Sequence, residues 1–312
     1  MVVSGWGWRA EMTDILVLGE RGQVARALRR VLPDDGSAIF AGREVADLSR
    51  PGTVQGLIQR TRPKVVINAA AYTAVDKAES EPELAMAVNA TGPGAAARAA
   101  AEVGAAFVHY STDYVFDGEA ARPYVETDPT APLGVYGRTK LQGEVAVVQA
   151  NPRHVILRTA WIYGADGGNF VRTMLRLAAE REEIGVVDDQ RGQPTFADDL
   201  AAVGAHVAES LSSDDRPELY GIFHAAGSED LTWCGFARAI MAASAARGGP
   251  SCRVKAITSA DYPTPVRRPA DSRLSSDRLR TVHGIAPGSW RYGLDTTLDR
   301  LLVEPRNDGA TR

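Results

Sequence analysis

The chain has 312 residues, 45% of them hydrophobic and 24% charged, enough to bury a substantial core in one large or two unequal domains. A formal net charge of −4 gives no general pull toward nucleic acid or an anionic membrane, so small molecules are the expected partners. The two cysteines, Cys234 and Cys252, have neither metal-ligand spacing nor the number a disulfide framework needs; read as free thiols, they point to the cytoplasm.

Met1 to Glu11 carries no apolar run of the signal-peptide kind and is expected to be a disordered extension, with Met12 an alternative start. No segment reaches the roughly 18 consecutive apolar residues of a membrane span. Asp14-Ile-Leu-Val-Leu18 is a buried-strand run, followed by Gly19-Glu-Arg-Gly22-Gln23-Val24 and a helical pattern through Leu32. Strand, glycine turn and helix in this order offer free backbone N–H groups and a helix dipole to a phosphate. Gly19 permits the tight turn and Gly22 the close approach of backbone to ligand; a plain turn is the competing reading.

A second short run, Ala38 to Ala41, leads to Gly42-Arg43 and on to Asp47-Leu48. An adenosine ribose is usually met at this strand end, where Arg43 suits the 2′-phosphate of NADPH; a solvent-exposed loop arginine explains it as well, and Asp47 stands too far along for the usual ribose-binding acid. Val65 to Ile67 is a third strand, running into Asn68-Ala-Ala-Ala71-Tyr72-Thr73. Small residues at a strand's carboxyl end let backbone pack against a flat ligand. The alanine-rich stretch Pro82 to Val103 reads as one long helix with proline near its start.

Ala105 to Tyr110 is the fourth strand and delivers Thr112 to the same edge, with His109 a packed strand residue and not a base. Tyr136 and Lys140 follow four apart; on a helix they share a face, so the phenol and the ammonium are expected to meet. A neighbouring cation favours the ionised phenol, whose unperturbed pKa is about 10, and so makes it a better proton donor near neutrality. Thr112, Tyr136 and Lys140 together read as carbonyl-reduction machinery, against the alternative that the spacing arose by chance.

Val155 to Leu157 is a fifth strand, and Trp161 beyond it is either a wall for a sugar or base, or core. Helices are expected over Asn169 to Glu183 and Asp198 to Leu211, a strand and loop over Gly185 to Thr195, and another strand over Tyr220 to His224. The extended, proline-rich piece from Asp261 to Leu274 concentrates Arg267, Arg268 and Arg273, which form either a forked grip on a pyrophosphate or a solvated basic loop. Strand and helix alternate through the first 160 residues, which argues an α/β fold: a Rossmann-like doubly wound parallel sheet with a smaller, mixed α/β substrate-binding domain. Residues 12–163, with a return at about 196–227, would form the dinucleotide-binding domain, and 164–195 with 228–312 the substrate domain.

The blocks GERGQV, NAAAYTAVDKAESEP, HYSTDYVFDG, TAPLGVYGRTK, RTAWIYG, DDQRGQPT and YPTPVRRPADSRL resemble the extended short-chain dehydrogenase/reductases and, among them, the dTDP-4-dehydrorhamnose reductases. The resemblance runs from residue 14 to about 300. It implies reduction of the C4 ketone of a dTDP-4-keto-6-deoxy sugar, dTDP-6-deoxy-L-lyxo-4-hexulose, with NADPH or NADH. It places Gly22, Gln23 and Val24 at the cofactor phosphates, Asp47 and Leu48 at the adenosine, Ala71, Tyr72 and Thr73 along the cofactor, Tyr110 in contact with it, and Tyr136 and Lys140 at its ribose and nicotinamide. Thr112, Asp113 and Trp161 would touch the sugar. The third position of the phosphate turn is Ala25 where many relatives carry glycine.

The resemblance also admits Mg²⁺ and a homodimer, although no carboxylate cluster stands out as a ligand set. Three rivals remain. A dehydratase or epimerase of the same fold is disfavoured because Asp113-Tyr114 stands where sugar dehydratases carry Asp-Glu. A 4-ketoreductase of another deoxysugar pathway stays open, whereas the retention of Tyr136, Lys140 and Thr112 weighs against a non-catalytic subunit that kept the reductase shape, as in methionine adenosyltransferase.

Overall fold

In the computed structural model, which describes residues 14–285 and 288–303, alternate residues of the first strand enter opposite cores. Strand β1 (Ile15–Leu18) sends Val17 to one face and Leu16 and Leu18 to the other. A strand buried on both faces is what a parallel sheet with helices on either side requires. The sheet follows from α1 (Gln23–Val31), β2 (Ala38–Ala41), α2 (Pro51–Thr61), β3 (Val65–Asn68), α3 (Val75–Ala78), α4 (Pro82–Met86), α5 (Gly92–Glu102), β4 (Ala106–Thr112), α6 (Val135–Ala150) and β5 (His154–Thr159). The chain then forms β6 (Ile162–Tyr163), α7 (Phe170–Glu180), β7 (Glu183–Val187), β8 (Arg191–Gly192), β9 (Thr195–Phe196), α8 (Ala197–Ser213) and β10 (Gly221–His224). Last come β11 (Leu231–Thr232), α9 (Trp233–Ala245), β12 (Arg253–Ile257), α10 (Asp277–His283) and α11 (Trp290–Leu298).

Six strands lie in the order β2-β1-β3-β4-β5-β10, every pair parallel. The chain reverses its direction of winding between β1 and β3, and the carboxyl ends of the strands beside that point are where such sheets hold ligands. Side chains of α1 and α8 fill one face and those of α2 and α5 the other. A separate core joins α7, β7, α9 and α11, with β7 pairing β12, β8 pairing β11 and β6 pairing β9. Cys234 is buried there and Cys252 half-buried, both as thiols. Among the described residues no helix is long and apolar enough to cross a membrane. The extension expected at residues 1–11 lies outside the described part.

Two local expectations need correction. The helix expected over Pro82 to Val103 is interrupted by a π turn, Ala87–Thr91, which pushes the carbonyl of Asn89 toward α6. Gly143 makes room: a Cβ there would lie 2.0 Å from that oxygen. Uniform alanine gives no periodic signal for such a bulge, and π turns often mark functional sites. The helix expected to reach Glu183 ends at Glu180, because Glu183 begins pairing with Arg253 in β12.

One ion pair fastens α6 to the sheet. Arg158 of β5 donates from Nε and Nη2 to both carboxylate oxygens of Glu144 at 2.7–3.2 Å, and Ser111 of β4 donates to Glu144 at 2.5 Å. Arg158 and Glu144 side chains are only 3% and 2% exposed. Removing one member strands the other as an unpaired buried charge, which costs about 3–5 kcal/mol. Glu144→Ala is therefore expected to lose stability of that order in urea unfolding, and a variant as stable as the parent would refute the assignment.

Candidate active site

The sequence builds the site's floor with glycine. Gly19 adopts φ +116°, and a Cβ there would lie 3.3 Å from the Ala69 and Ala70 backbone, so only glycine lets β1 turn so close to the end of β3. Gly22 then caps α1 with no side-chain acceptor and with no acidic residue in the first turn. Its N–H groups are left for an anion. Beside this turn opens a crevice of about 770 Å³. Every residue expected to touch a dinucleotide lines it: the turn Gly19, Gly22, Gln23 and Val24, then Arg43, Asp47 and Leu48, then Ala71, Tyr72 and Thr73, and finally Tyr110, Tyr136 and Lys140.

Arg43 is largely exposed and sits 3.4 Å from Asp47. Burial works against the Asp47 carboxylate, but the Ser49 hydroxyl and N–H, aided by Arg43, hold its pKa below the ordinary value. The Tyr72 backbone is clamped on both sides by Asn89, which accepts from Tyr72 N–H at 2.8 Å and donates to its carbonyl at 3.0 Å and to Thr139 on α6 at 3.1 Å. Tyr110 contributes to the wall while its hydroxyl turns away to donate to the Leu200 carbonyl at 3.3 Å.

Thr112 ends β4 opposite Thr159 of β5. Its oxygen accepts from Tyr114 N–H at 3.2 Å, its proton goes to Asp113 at 3.0 Å, and it lies against the Tyr136 phenol. Tyr136 is the second residue of α6, its ring edge-on to Tyr114 at 5.6 Å. Burial, with Asp113 and Tyr114 adding, pushes the phenol above its ordinary pKa, and Thr112 opposes this. Asp113 is 2% exposed, with one carboxylate oxygen unpartnered. Burial pushes its pKa up to about 6 against the Ser272 and Thr112 hydroxyls.

The expected meeting of phenol and ammonium is corrected here. Lys140, 2% exposed, donates to the Tyr110 carbonyl at 2.6 Å and lies 3.5 Å from His109 Nε2. No hydrogen bond among the described residues joins it to Tyr136. A buried ammonium needs an acceptor, and the carbonyl at the end of β4 supplies one fixed in place. Burial brings Lys140 down to about 8, with Glu144 opposing. His109 is fully buried, and its imidazole is held well below its ordinary pKa by burial and by Lys140.

The residues expected on the substrate side divide. Trp161 follows β5 with φ +46° and stacks on Trp233. Arg268 reaches the site: it grips both Asp76 oxygens at 2.7 Å and meets the Tyr114 hydroxyl at 3.3 Å. With Arg267, Gln190, Ser259 and Tyr262 it lines a second cavity of about 450 Å³. Arg273 lines neither cavity, because its guanidinium is folded onto Asp271 at 2.6–2.8 Å. Arg267 carries an ion pair with Glu119 at 3.3 Å.

Sequence reasoning missed Asn89, the Glu144–Arg158 pair and the loop ahead of α7, where Asn169 donates to Gln23 at 3.1 Å and Gly167 and Gly168 close the crevice. Only Glu144 left a readable signal, one helical turn after Lys140. Among the described residues no group of three or more His, Cys, Asp or Glu is placed to hold a metal ion.

The chain matches the family described as RmlD substrate binding domain over residues 12–303. It is 44% identical over 293 residues to the dTDP-4-dehydrorhamnose reductase of Sinorhizobium fredii, covering 94% of this chain and 99% of that one. The crystal structure of such a reductase from Clostridium acetobutylicum superposes with a TM-score of 0.86 at 38% identity, over 92% of this chain and 99% of the other. That of the Bacillus anthracis enzyme, solved in complex with NADP, gives 0.86 at 33%, over 93% and 100%.

Lys140 is charged below about pH 8 and loses its charge as pH rises through that value. NADPH affinity, followed by fluorescence titration, is expected to weaken above about pH 8 in the parent and to lose that limb in Lys140→Met. An identical alkaline limb in both proteins would exclude Lys140 as its source.

Proposed function

The chain belongs to the dTDP-4-dehydrorhamnose reductase family, and we propose that Tyr136, Thr112 and Lys140 carry the family's reaction in this molecule. It reduces the C4 ketone of dTDP-4-dehydro-β-L-rhamnose to dTDP-L-rhamnose with NAD(P)H, the last step of dTDP-L-rhamnose biosynthesis. The observation that supports the residue roles most strongly is a single crevice that holds the uncapped α1 N-terminus at one end and Tyr136 with Lys140 at the other.

The diphosphate of NADPH or NADH is held by Gly19, Gly22, Gln23 and Val24, its adenosine lies at Asp47 and Leu48, and Ala71, Tyr72 and Thr73 support its middle. Arg43 offers a partner to a 2′-phosphate. Bound there, the cofactor supplies the hydride that adds to the sugar's C4. Tyr136, kept protonated by burial, gives its proton to the oxygen that becomes the alkoxide. Thr112 turns its hydroxyl proton from Asp113 to the same oxygen and orients it. Lys140 turns one donor to the Tyr110 carbonyl and another toward His109 Nε2, and an ammonium has three, so one remains for the nicotinamide ribose.

Asp113 and Trp161 contact the sugar. The nucleoside diphosphate extends toward Arg268 and the second cavity, and Arg273 shapes that wall through Asp271. The segments 12–163 and about 196–227 serve the cofactor, and 164–195 with 228–312 the substrate. We place the enzyme in the cytoplasm, where its thiols stay reduced, and as a homodimer in solution.

Incubation with dTDP-4-keto-6-deoxyglucose, a partner 3,5-epimerase and NADPH is expected to yield dTDP-L-rhamnose by NMR; a different sugar would overturn the assignment. Tyr136→Phe should lower kcat by about 10²–10⁴, the usual share of a positioned acid, while NADPH binding persists. Undiminished turnover would remove Tyr136 as the proton donor.

A further inference from the structure

Trp161 holds its backbone at φ +46°, a conformation that bulky side chains adopt only where their surroundings impose it. Three contacts impose it here. Its carbonyl accepts from Thr195 N–H at 3.2 Å, which locks the chain just before β6 pairs with β9. Its indole lies over Gly192, where a Cβ would come within 2.4 Å of the ring. Its face is covered by Trp233, the two rings 3.5 Å apart and 8° from parallel, and Phe170 backs Trp233 at 4.5 Å.

Gly192 and Trp233 are two parts of one device. Leu231 of β11 pairs with Gly192 of β8, and Trp233 begins α9 directly after β11. The outer lobe therefore presents a bare backbone floor and an indole wall as one unit. Trp161, by contrast, comes from the end of the large sheet. Thr159, two residues earlier, pairs with Thr112 and lines the crevice together with Ile162. Backbone strain of this kind clusters at ligand sites, and Gly192 and Trp233 hold the indole in place.

We propose that Trp233 is a positioning residue for the sugar: by stacking on Trp161 over Gly192, it fixes the indole plane against which the keto-sugar ring binds. The inference rests on the reading of Trp161 as a sugar contact. Trp233 then governs affinity for the sugar nucleotide and leaves affinity for the dinucleotide alone, since neither indole lines the dinucleotide crevice.

The test compares Trp161→Leu, Trp233→Leu, Trp233→Phe and Gly192→Ala in the full chain, with KM for the sugar nucleotide, Kd for NADPH and the circular-dichroism couplet of the paired indoles as readouts. Trp233→Leu should abolish the couplet and raise the sugar KM about three- to tenfold, the fold-change of a lost aromatic stack. NADPH Kd should not move. Trp233→Phe, which keeps a ring in place, should restore most of the KM. The double variant with Trp161→Leu should be no worse than Trp161→Leu alone. A lost couplet with parental sugar KM would overturn the role of Trp233, provided Trp161→Leu itself raises that KM. If Trp161→Leu leaves the sugar KM unchanged, the sugar-contact reading fails first and the inference with it. Should Trp233→Leu not fold, Gly192→Ala decides: it crowds the Trp161 ring while leaving Trp233, and unchanged sugar KM there would equally overturn the proposal.

Discussion

A carboxylate and a guanidinium sealed from water hold α6, the helix of Tyr136 and Lys140, in register. Arg158 donates to both carboxylate oxygens of Glu144, and Ser111 adds a third donor from the neighbouring strand. Sliding α6 along the sheet would leave two buried charges without partners, a far larger penalty than lost packing. Lys140 stands one helical turn before Glu144 and Tyr136 one turn before that, so both inherit the same register. Gly137 and Gly143 let the helix lie this close, since a Cβ at either would strike the carbonyl of Tyr114 or Asn89.

Burial also sets the electrostatics of the site. The Tyr136 phenol is driven up, Asp113 is raised to about 6 and Lys140 brought down to about 8, each chiefly by loss of water. A raised phenol and a lowered ammonium at the sheet edge are thus both consequences of desolvation. The Thr112 hydroxyl, bonded to Asp113 and lying against Tyr136, couples the carboxyl to the phenol.

Ion pairs and side-chain amides join the two parts of the molecule around the crevice. Asp76 and Arg268 meet at one side, Gln23 and Asn169 at the other. Behind them Asp166 binds Arg30, and Asp198 binds both Arg30 and Arg300. Partly exposed pairs of this kind contribute little stability singly, but they fix where Arg268 and the loop ahead of α7 face. Arg268 is delivered to the second cavity by its pairing with Asp76, whereas Arg273 is retained by Asp271.

Short-range pattern was enough for much of this protein. The buried runs at β1, β3, β4 and β5, the Gly19–Gly22 turn and the placing of Tyr136 and Lys140 on one helix all follow from spacing within a few residues, which any window of sequence displays. Part of the crevice lining, Gly19, Gly22, Tyr136 and Lys140, follows likewise, whereas Asp47, Leu48 and Ala71 to Thr73 came from the family resemblance and the Gly167–Gly168 loop from neither. What tertiary structure decided depends on partners far along the chain. The Lys140 ammonium chose a carbonyl 30 residues away over the neighbouring phenol, and Arg268 found an acid 192 residues away. The π turn at Asn89 answers to Gly143, and the Trp161 conformation answers to Gly192 and Trp233. Directional contacts of buried groups are selected by whatever the folded chain brings within reach, and no local periodicity encodes that choice.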